Sequence, residues 1–328
     1  MGDTWVPFGS SSASQLLLDV RWNHGVPTRG RSSEPPIQVH WVDPHTVILR
    51  QSKCVSFEAP FMYLLFGNER AVLFDTGATG DPASFPLRAT VDELIAAWLT
   101  DHPRADYELI VAHSHGHNDH VAADGQFAGR AATTVVGREL DSVQRYFGFT
   151  AWPEQIATLD LGGRLLEITG TPGHHPASIT VYDPWSGFLL TGDTVLPGRL
   201  YAFDYPAFLD SLDRIVTFAS SRAVTHVFGC HVEMTSTPGM DYPLGATYQP
   251  QERALQMAVS QLLDVREAAH SVANRRGRNT FDDFIIYNEP RRRDQLSLLS
   301  RGLLHRAFPR VTTRAILNDA PHSRPGRA

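Results

Sequence analysis

Lysine occurs once in the 328 residues, at Lys53, and no G-x-x-x-x-G-K-[ST] loop is present. Schiff-base chemistry and phosphate binding by a P-loop are therefore poorly supported, because each needs a lysine in a defined setting. Cysteine is almost as scarce. Cys54 and Cys230 form neither a disulfide framework nor a C-x-x-C pair, which suits a reducing cytoplasm. No run approaches the roughly 20 apolar residues of a membrane helix. The opening residues lack a basic start, and the apolar run Leu16 to Leu18 is too short for the centre of a signal peptide. A soluble cytoplasmic protein is the expectation. A basic excess is missing too: the formal net charge is -6, so the body exerts no general pull on nucleic acid or an anionic membrane. A small-molecule substrate is the default partner, and oligomeric state is left open.

What the chain does have is apolar material for a large core, 42% of its residues, and a surplus of 15 histidines to explain. One large domain with flanks fits better than two equal ones. Residues 1–36, rich in Ser, Gly and Pro and ending in Glu34-Pro35-Pro36, read as a loosely structured lead-in. Residues 37–273 carry the ordered pattern. Residues 274–328 form an arginine-rich extension that includes Arg275, Arg276, Arg278 and Arg291 to Arg293. A solvated flank is the plain reading of that extension, and contact with an acidic partner is the alternative.

Short β-prone runs at 37–42, 46–51, 61–66 and 71–74, with Asp43-Pro44 and Gly67-Asn68 between some of them, predict a meander. Thr90 followed by Glu93 suggests a capping box, after which Val91, Leu94, Ile95, Trp98 and Leu99 share one helical face. The apolar run 108–112 leads directly into a polar, histidine-rich loop. Further strands are expected at 133–136, 164–169, 179–182, 188–190 and 224–228, with helices at 206–221 and 251–273.

That loop reads His113-Ser-His-Gly-His-Asn-Asp-His120, an H-x-H-x-D-H pattern from His115 to His120. Imidazole nitrogen and carboxylate oxygen are the ligands of a divalent cation able to activate water, and a short loop turns several of them toward one point. A solvated histidine-rich loop would not interrupt a strand-loop unit with an acid at a fixed place. Further candidates follow later strands: His174 in Thr-Pro-Gly-His, Asp193 in Thr-Gly-Asp-Thr, and His231 in Phe-Gly-Cys-His. His113 and His226 sit at or within strands and read as core histidines. His175 is weighed as a substrate-facing residue.

Together with Phe-Asp75-Thr-Gly, these motifs resemble, in the same order, those of the metallo-β-lactamase superfamily over roughly residues 37–235. The resemblance implies an α/β fold, an αββα sandwich of two mixed β-sheets flanked by helices, with the metal loops along one edge. It implies that His115, His117 and His174 hold one metal, that Asp119, His120 and His231 hold the other, and that Asp193 bridges them. Asp75 would stand one shell further out and fix the loops. Two divalent ions, zinc with iron or manganese as alternatives, would bring a shared water's pKa into the neutral range and make a hydroxide nucleophile, leaving Asp119 to position or shuttle the proton.

Within that superfamily a bridging Asp is typical of thioester, lactone and phosphodiester hydrolases and not of the true zinc β-lactamases. Lactonases that open acyl-homoserine lactones often carry a tyrosine soon after it. Here Thr194, Val195 and Leu196 follow, with Tyr201 or Tyr205 as substitutes from further along. The segments 197–205 and 232–245 carry aromatic, Met and Arg side chains suited to a pocket wall, and Arg199 and Tyr201 are the candidates for substrate contact. The expectation is a metal-dependent hydrolase of a small carboxylic ester, thioester or lactone. A phosphodiesterase and an iron-dependent sulfur dioxygenase-type oxidoreductase are the alternatives.

Overall fold

The computed structural model describes residues 5–9, 16–27, 34–309, 312–313 and 316. Its first sheet runs β1 (Ile37–Asp43), β2 (Thr46–Gln51), β3 (Phe61–Phe66) and β4 (Arg70–Phe74) as an antiparallel meander. After α1 (Leu87–Asp101) it continues in parallel through β5 (Glu108–Ala112); then α2 (Asn118–Val121) and α3 (Asp124–Phe127) lead to the last strand, β6 (Thr133–Val135). Next come α4 (Leu140–Phe147), β7 (Ile156–Asp160), β8 (Leu165–Gly170), β9 (Ile179–Asp183) and β10 (Phe188–Gly192). The chain proceeds through β11 (Arg199–Ala202), α5 (Tyr205–Ser220), β12 (His226–Gly229), β13 (Gln256–Met257) and α6 (Val259–Ser271), and on to β14 (Gly277–Thr280), β15 (Ile285–Asn288) and α7 (Arg292–Ala307). The second sheet has the order β13-β12-β10-β9-β8-β7, and a small third sheet has β11-β15-β14.

The layering follows from strands that bury both faces. Along β3, Phe61, Tyr63 and Leu65 enter the core between the two large sheets, while Met62, Leu64 and Phe66 face the layer of α1 and α3. That double burial explains why this strand reads as a continuous apolar run. On the far side, Leu189 and Val227 of the second sheet pack against Phe208, Leu212, Leu262 and Val265 of α5 and α6. An αββα sandwich results, as expected from the motifs. Arg164, 1% exposed, ties the sheets together: its guanidinium bonds Asp183 on the second sheet and the carbonyls of His45 and Phe66 on the first.

Three local expectations are corrected. Helix α1 begins at Leu87, not after a Thr90 cap, because the Thr90 hydroxyl bonds back to the Pro86 carbonyl from inside the first turn. The helix expected over 251–273 begins only at Val259. Residues 256–257 pair with β12 instead, which puts Leu255 in the inter-sheet core and leaves Leu263 47% exposed. The histidine-rich stretch is not all loop, since its last three residues belong to the single turn of α2.

Both flanks also contribute. Val6 and Phe8 are buried beside α1, and Trp22 packs on the inter-sheet core. From the segment expected as an extension beyond 274, β15 pairs in parallel with β11. No helix among the described residues is long and apolar enough to cross a membrane.

Candidate metal centre

Five chain segments deliver side chains to one rim of the sandwich. Asp75 follows β4, the 113–120 stretch follows β5, His174 follows β8, Asp193 follows β10 and His231 follows β12. Glycine makes two of these turns feasible. Gly173 has φ +132° and a Cβ there would stand 2.5 Å from the Phe208 Cα; Gly192 has φ +55° and a Cβ there would stand 2.8 Å from the Ser114 Cβ. The glycines of Thr-Pro-Gly-His and Thr-Gly-Asp are thus requirements of close packing at the rim.

Two sets of donor atoms converge. In the first, the Nδ1 of His117 lies 3.0 Å from the Nε2 of His115 and 3.0 Å from the Nε2 of His174. In the second, the Nε2 of His231 lies 3.3 Å from that of His120 and 3.3 Å from the Asp119 carboxylate. Asp193 groups with the second set, yet its Oδ2 is also 3.8 Å from the His174 Nε2. The structure therefore brings together all seven residues expected to bind metal.

The orientation of the rings comes from their other nitrogens. His174 donates through Nδ1 to the Tyr201 carbonyl, His231 to the Glu58 carbonyl, His120 to the Asp75 carboxylate and His115 to the Ser114 hydroxyl. Each of these four leaves Nε2 as the atom facing the centre. Asp75 is the hub: besides His120 it accepts from the Ser114 N–H, the Ser114 hydroxyl and the Cys230 thiol. It does so from a left-handed φ of +68° while wholly buried. Asp75, His120 and Cys230 are themselves close enough to group as donors. Burial and then the Asp75 charge push the Cys230 thiol well up, however, so it remains protonated and works as a donor to Asp75.

Electrostatics separate the two sets. Burial lowers His115 and His117 and brings His174 down to about 4, so the first set is neutral. In the second, burial opposes the charged forms but loses to the pairing of imidazoles with acids. His231 rises to about 9 beside Asp193 and Asp119, Asp193 falls to about 2 beside His231 and His120, and Asp119 is lowered as well. These residues fit divalent cations. Unprotonated imidazole nitrogens crowd one another, and the Asp193 Oδ1 is buried with no hydrogen-bond partner, an arrangement that makes sense around a cation with nitrogen and oxygen ligands.

The donors open onto a cavity of about 190 Å3. Both segments expected as its walls reach it, through Arg199, Tyr201 and Phe203 and through Glu233 and Leu244. Every nitrogen of the Arg199 guanidinium is engaged: it bonds Glu233 at 2.6 Å and Asp241 at 2.8 Å and donates to the Tyr242 carbonyl, so it braces the wall. Tyr205 lies elsewhere, its hydroxyl bonded to the Ala269 carbonyl in the core under α5. His175 stands outside the cavity lining behind His117, its Nδ1 accepting the Ala177 N–H. His113 bonds Asp124, and the half-buried His226 packs near Phe188 and Phe228. Sequence reasoning missed Glu58, which reaches the cavity from the β2–β3 loop and which burial raises to about 7. The one available signal was that this loop ends at the rim shared by the metal motifs.

Comparison with known proteins identifies a family. The sequence model of the metallo-beta-lactamase superfamily matches residues 56–225. A hydroxyacylglutathione hydrolase of Synechococcus sp. (strain JA-3-3Ab) is 30% identical over 159 residues, 47% of this chain and 58% of that protein. A probable metallo-hydrolase of Burkholderia pseudomallei (strain 1710b) is 27% identical over 263 residues, 70% of this chain and 81% of that protein. The matches thus span only 44% and 58% of two hydroxyacylglutathione hydrolases, but most of the metallo-hydrolase. Among solved structures, a metallo-beta-lactamase from Pontibacter korlensis is 18% identical with a TM-score of 0.47, over 71% of this chain and 99% of that one.

Proposed function

This chain belongs to the metallo-β-lactamase superfamily, and from that premise we propose that it is a dinuclear zinc hydrolase that cleaves a small carboxylic ester, thioester or lactone. The observation that carries the reading is the place of Asp193. Its Oδ2 lies 3.6 Å from the Nε2 of His120, 3.7 Å from that of His231 and 3.8 Å from that of His174, within reach of both donor sets. His115, His117 and His174 would hold one ion, Asp119, His120 and His231 the other, and Asp193 both. Bound there, the ions would supply activated water and a positive field at the scissile carbonyl.

The chain's own groups account for the remaining steps. Asp119 is kept ionised by its imidazole neighbours and borders the cavity, where it can take up and return a proton at its carboxylate oxygen. Asp75 and the Tyr201 and Glu58 carbonyls hold the imidazoles at fixed angles, so little reorganisation accompanies the reaction. Leu196, Leu244 and the Tyr201 ring offer apolar surface to an acyl or leaving group. The small cavity favours compact substrates, and the hydroxyacylglutathione hydrolases among the relatives favour a thioester.

Protein purified without added metal should contain about two zinc ions per chain and hydrolyse members of an ester, thioester and lactone panel, with activity lost to chelators and restored by zinc. Cleavage of bis-p-nitrophenyl phosphate alone would move the reading to phosphodiesters. About one iron per chain without hydrolysis would replace it with oxidation.

A further inference from the structure

Resting on that hydrolase reading, the character of the substrate is open to inference from the cavity wall that the metal donors leave free. That wall holds two carboxylates, Glu58 and Glu233, and a single cation, Arg199. Glu233 is matched, since one of its oxygens takes the Arg199 guanidinium and the other the Arg199 backbone N–H, both at 2.6 Å. Glu58 is not matched. Its N–H donates to the Ser56 hydroxyl and its carbonyl accepts from His231, but no described residue donates to its carboxylate or pairs with it. Of the charged groups that face it, His231 attracts it, while Asp119, Glu233 and Asp193 repel it. A half-buried carboxylate that no side chain hydrogen-bonds or ion-pairs with, at the edge of a cavity, is free to receive a cationic group of a bound molecule.

The same wall carries aromatic faces. The Tyr201 ring stacks on Tyr287 at 4.9 Å and runs nearly parallel to Phe203 at 6.1 Å, and Phe203 stays 52% exposed. Stacked rings and a carboxylate lining one cavity form surroundings in which organic cations are held, through the ring quadrupole on one side and the charge on the other. We propose that Glu58 is the specificity-determining residue of the site, and that the substrate is a small ester or thioester bearing an ammonium or similar cationic group, received by Glu58 and the Tyr201–Phe203 wall. Anionic thioesters, those of glutathione included, are disfavoured, because the one wall guanidinium is already neutralised by Glu233 and Asp241 and each of its nitrogens already donates within the wall.

Three matched thioesters test this with the zinc-loaded protein at low salt: acetylthiocholine, its neutral carbon isostere 3,3-dimethylbutyl thioacetate, and S-acetyl-3-mercaptopropionate. The expected order of kcat/KM is cationic, neutral, anionic, with at least about tenfold between the first and the last. Glu58→Gln keeps the backbone carbonyl that His231 uses and should narrow that ratio to about threefold or less, and Glu58→Arg should invert it. Tetramethylammonium binding, followed by saturation-transfer NMR without turnover, should weaken in both variants. Equal rates for the three probes in the parent protein, or an unchanged ratio in Glu58→Gln, would overturn the charge selection while leaving the hydrolase intact. Failure to hydrolyse any of the three would count against the hydrolase reading itself. The ranking in the parent protein needs no variant, so a poorly folding substitution would not shield the proposal.

Discussion

The two donor sets of the rim differ in how each is prepared for a cation. His115, His117 and His174 are neutral because they are buried, and their supports are a serine hydroxyl and a backbone carbonyl. Asp119, His120, Asp193 and His231 reach balance by pairing, with protons on imidazoles standing where positive charge is wanted, and Asp75 adds a buried carboxylate behind His120. One corner is therefore a neutral cradle and the other a self-compensated salt cluster. The contrast shows that a site for two like cations need not be built twice in the same way. Burial supplies neutrality where only imidazoles meet, and counter-charge supplies it where carboxylates are present.

The comparison breaks most completely at Asp193. Asp193→Ala should lower the content of both metals and reduce turnover by about 100-fold or more, as expected for loss of a shared ligand. Full occupancy measured by elemental analysis, with full activity, would sink the dinuclear account. Single-set substitutions sharpen the contrast next. His174→Ala should deplete one ion and His231→Ala the other, each cutting activity by about 10- to 100-fold, with a cobalt-substituted spectrum showing which ligand field is lost.

A smaller effect is expected one shell out. Asp75→Asn keeps a side chain tolerant of the left-handed φ but removes the charge behind His120. Metal affinity at the mixed corner should fall by about tenfold while the three-imidazole corner changes less, read by competitive chelator titration. Equal losses at both corners would show that Ser114 transmits the change to His115 as well.

The smallest effect uses a histidine outside the site that burial also keeps neutral. His45 accepts the Trp98 indole N–H at 3.0 Å, and burial together with the nearby Arg164 lowers it to about 4. Its folded pKa is depressed below the unfolded value near 6.5, so the folded state takes up fewer protons in that window. Stability should be fully present above about pH 6.5 and decline as pH falls toward 4, by on the order of 1 kcal/mol after discounting for solvent screening. The urea midpoint should fall between pH 7 and 5, and His45→Gln should flatten that dependence. A midpoint that does not move with pH would mean that burial does not hold this histidine neutral.

Where the sequence was legible, a local rule was enough. The periods of β1 to β5 and of α5 are written in alternating or continuous apolar runs, and the H-x-H-x-D-H spacing is short enough for one loop and one helical turn to aim its side chains together. Legibility failed where distant segments decide. Gln256 and Met257 belong to a helical pattern by composition but pair with β12, because tertiary hydrogen bonding outweighs a weak propensity. The strands β11, β14 and β15 are short, and although β14 and β15 are neighbours in sequence, β11 finds its one partner, β15, only by pairing Arg199 with Ile285. Arg199 looked like a free substrate contact until Glu233, Asp241 and Tyr242 were seen around it. Glu58 is a lone acid in a loop, with no motif to mark it.

The sequence by itself determined the donor types, their order and the strand ends that carry them, because ligand chemistry and strand periodicity are properties of residues a few positions apart. Only the tertiary structure decided which donors share a corner, which nitrogen of each imidazole faces inward, and which carboxylate on the wall lacks a partner. Those are distances between atoms brought together from five separate segments, and they are fixed only once the two sheets pack.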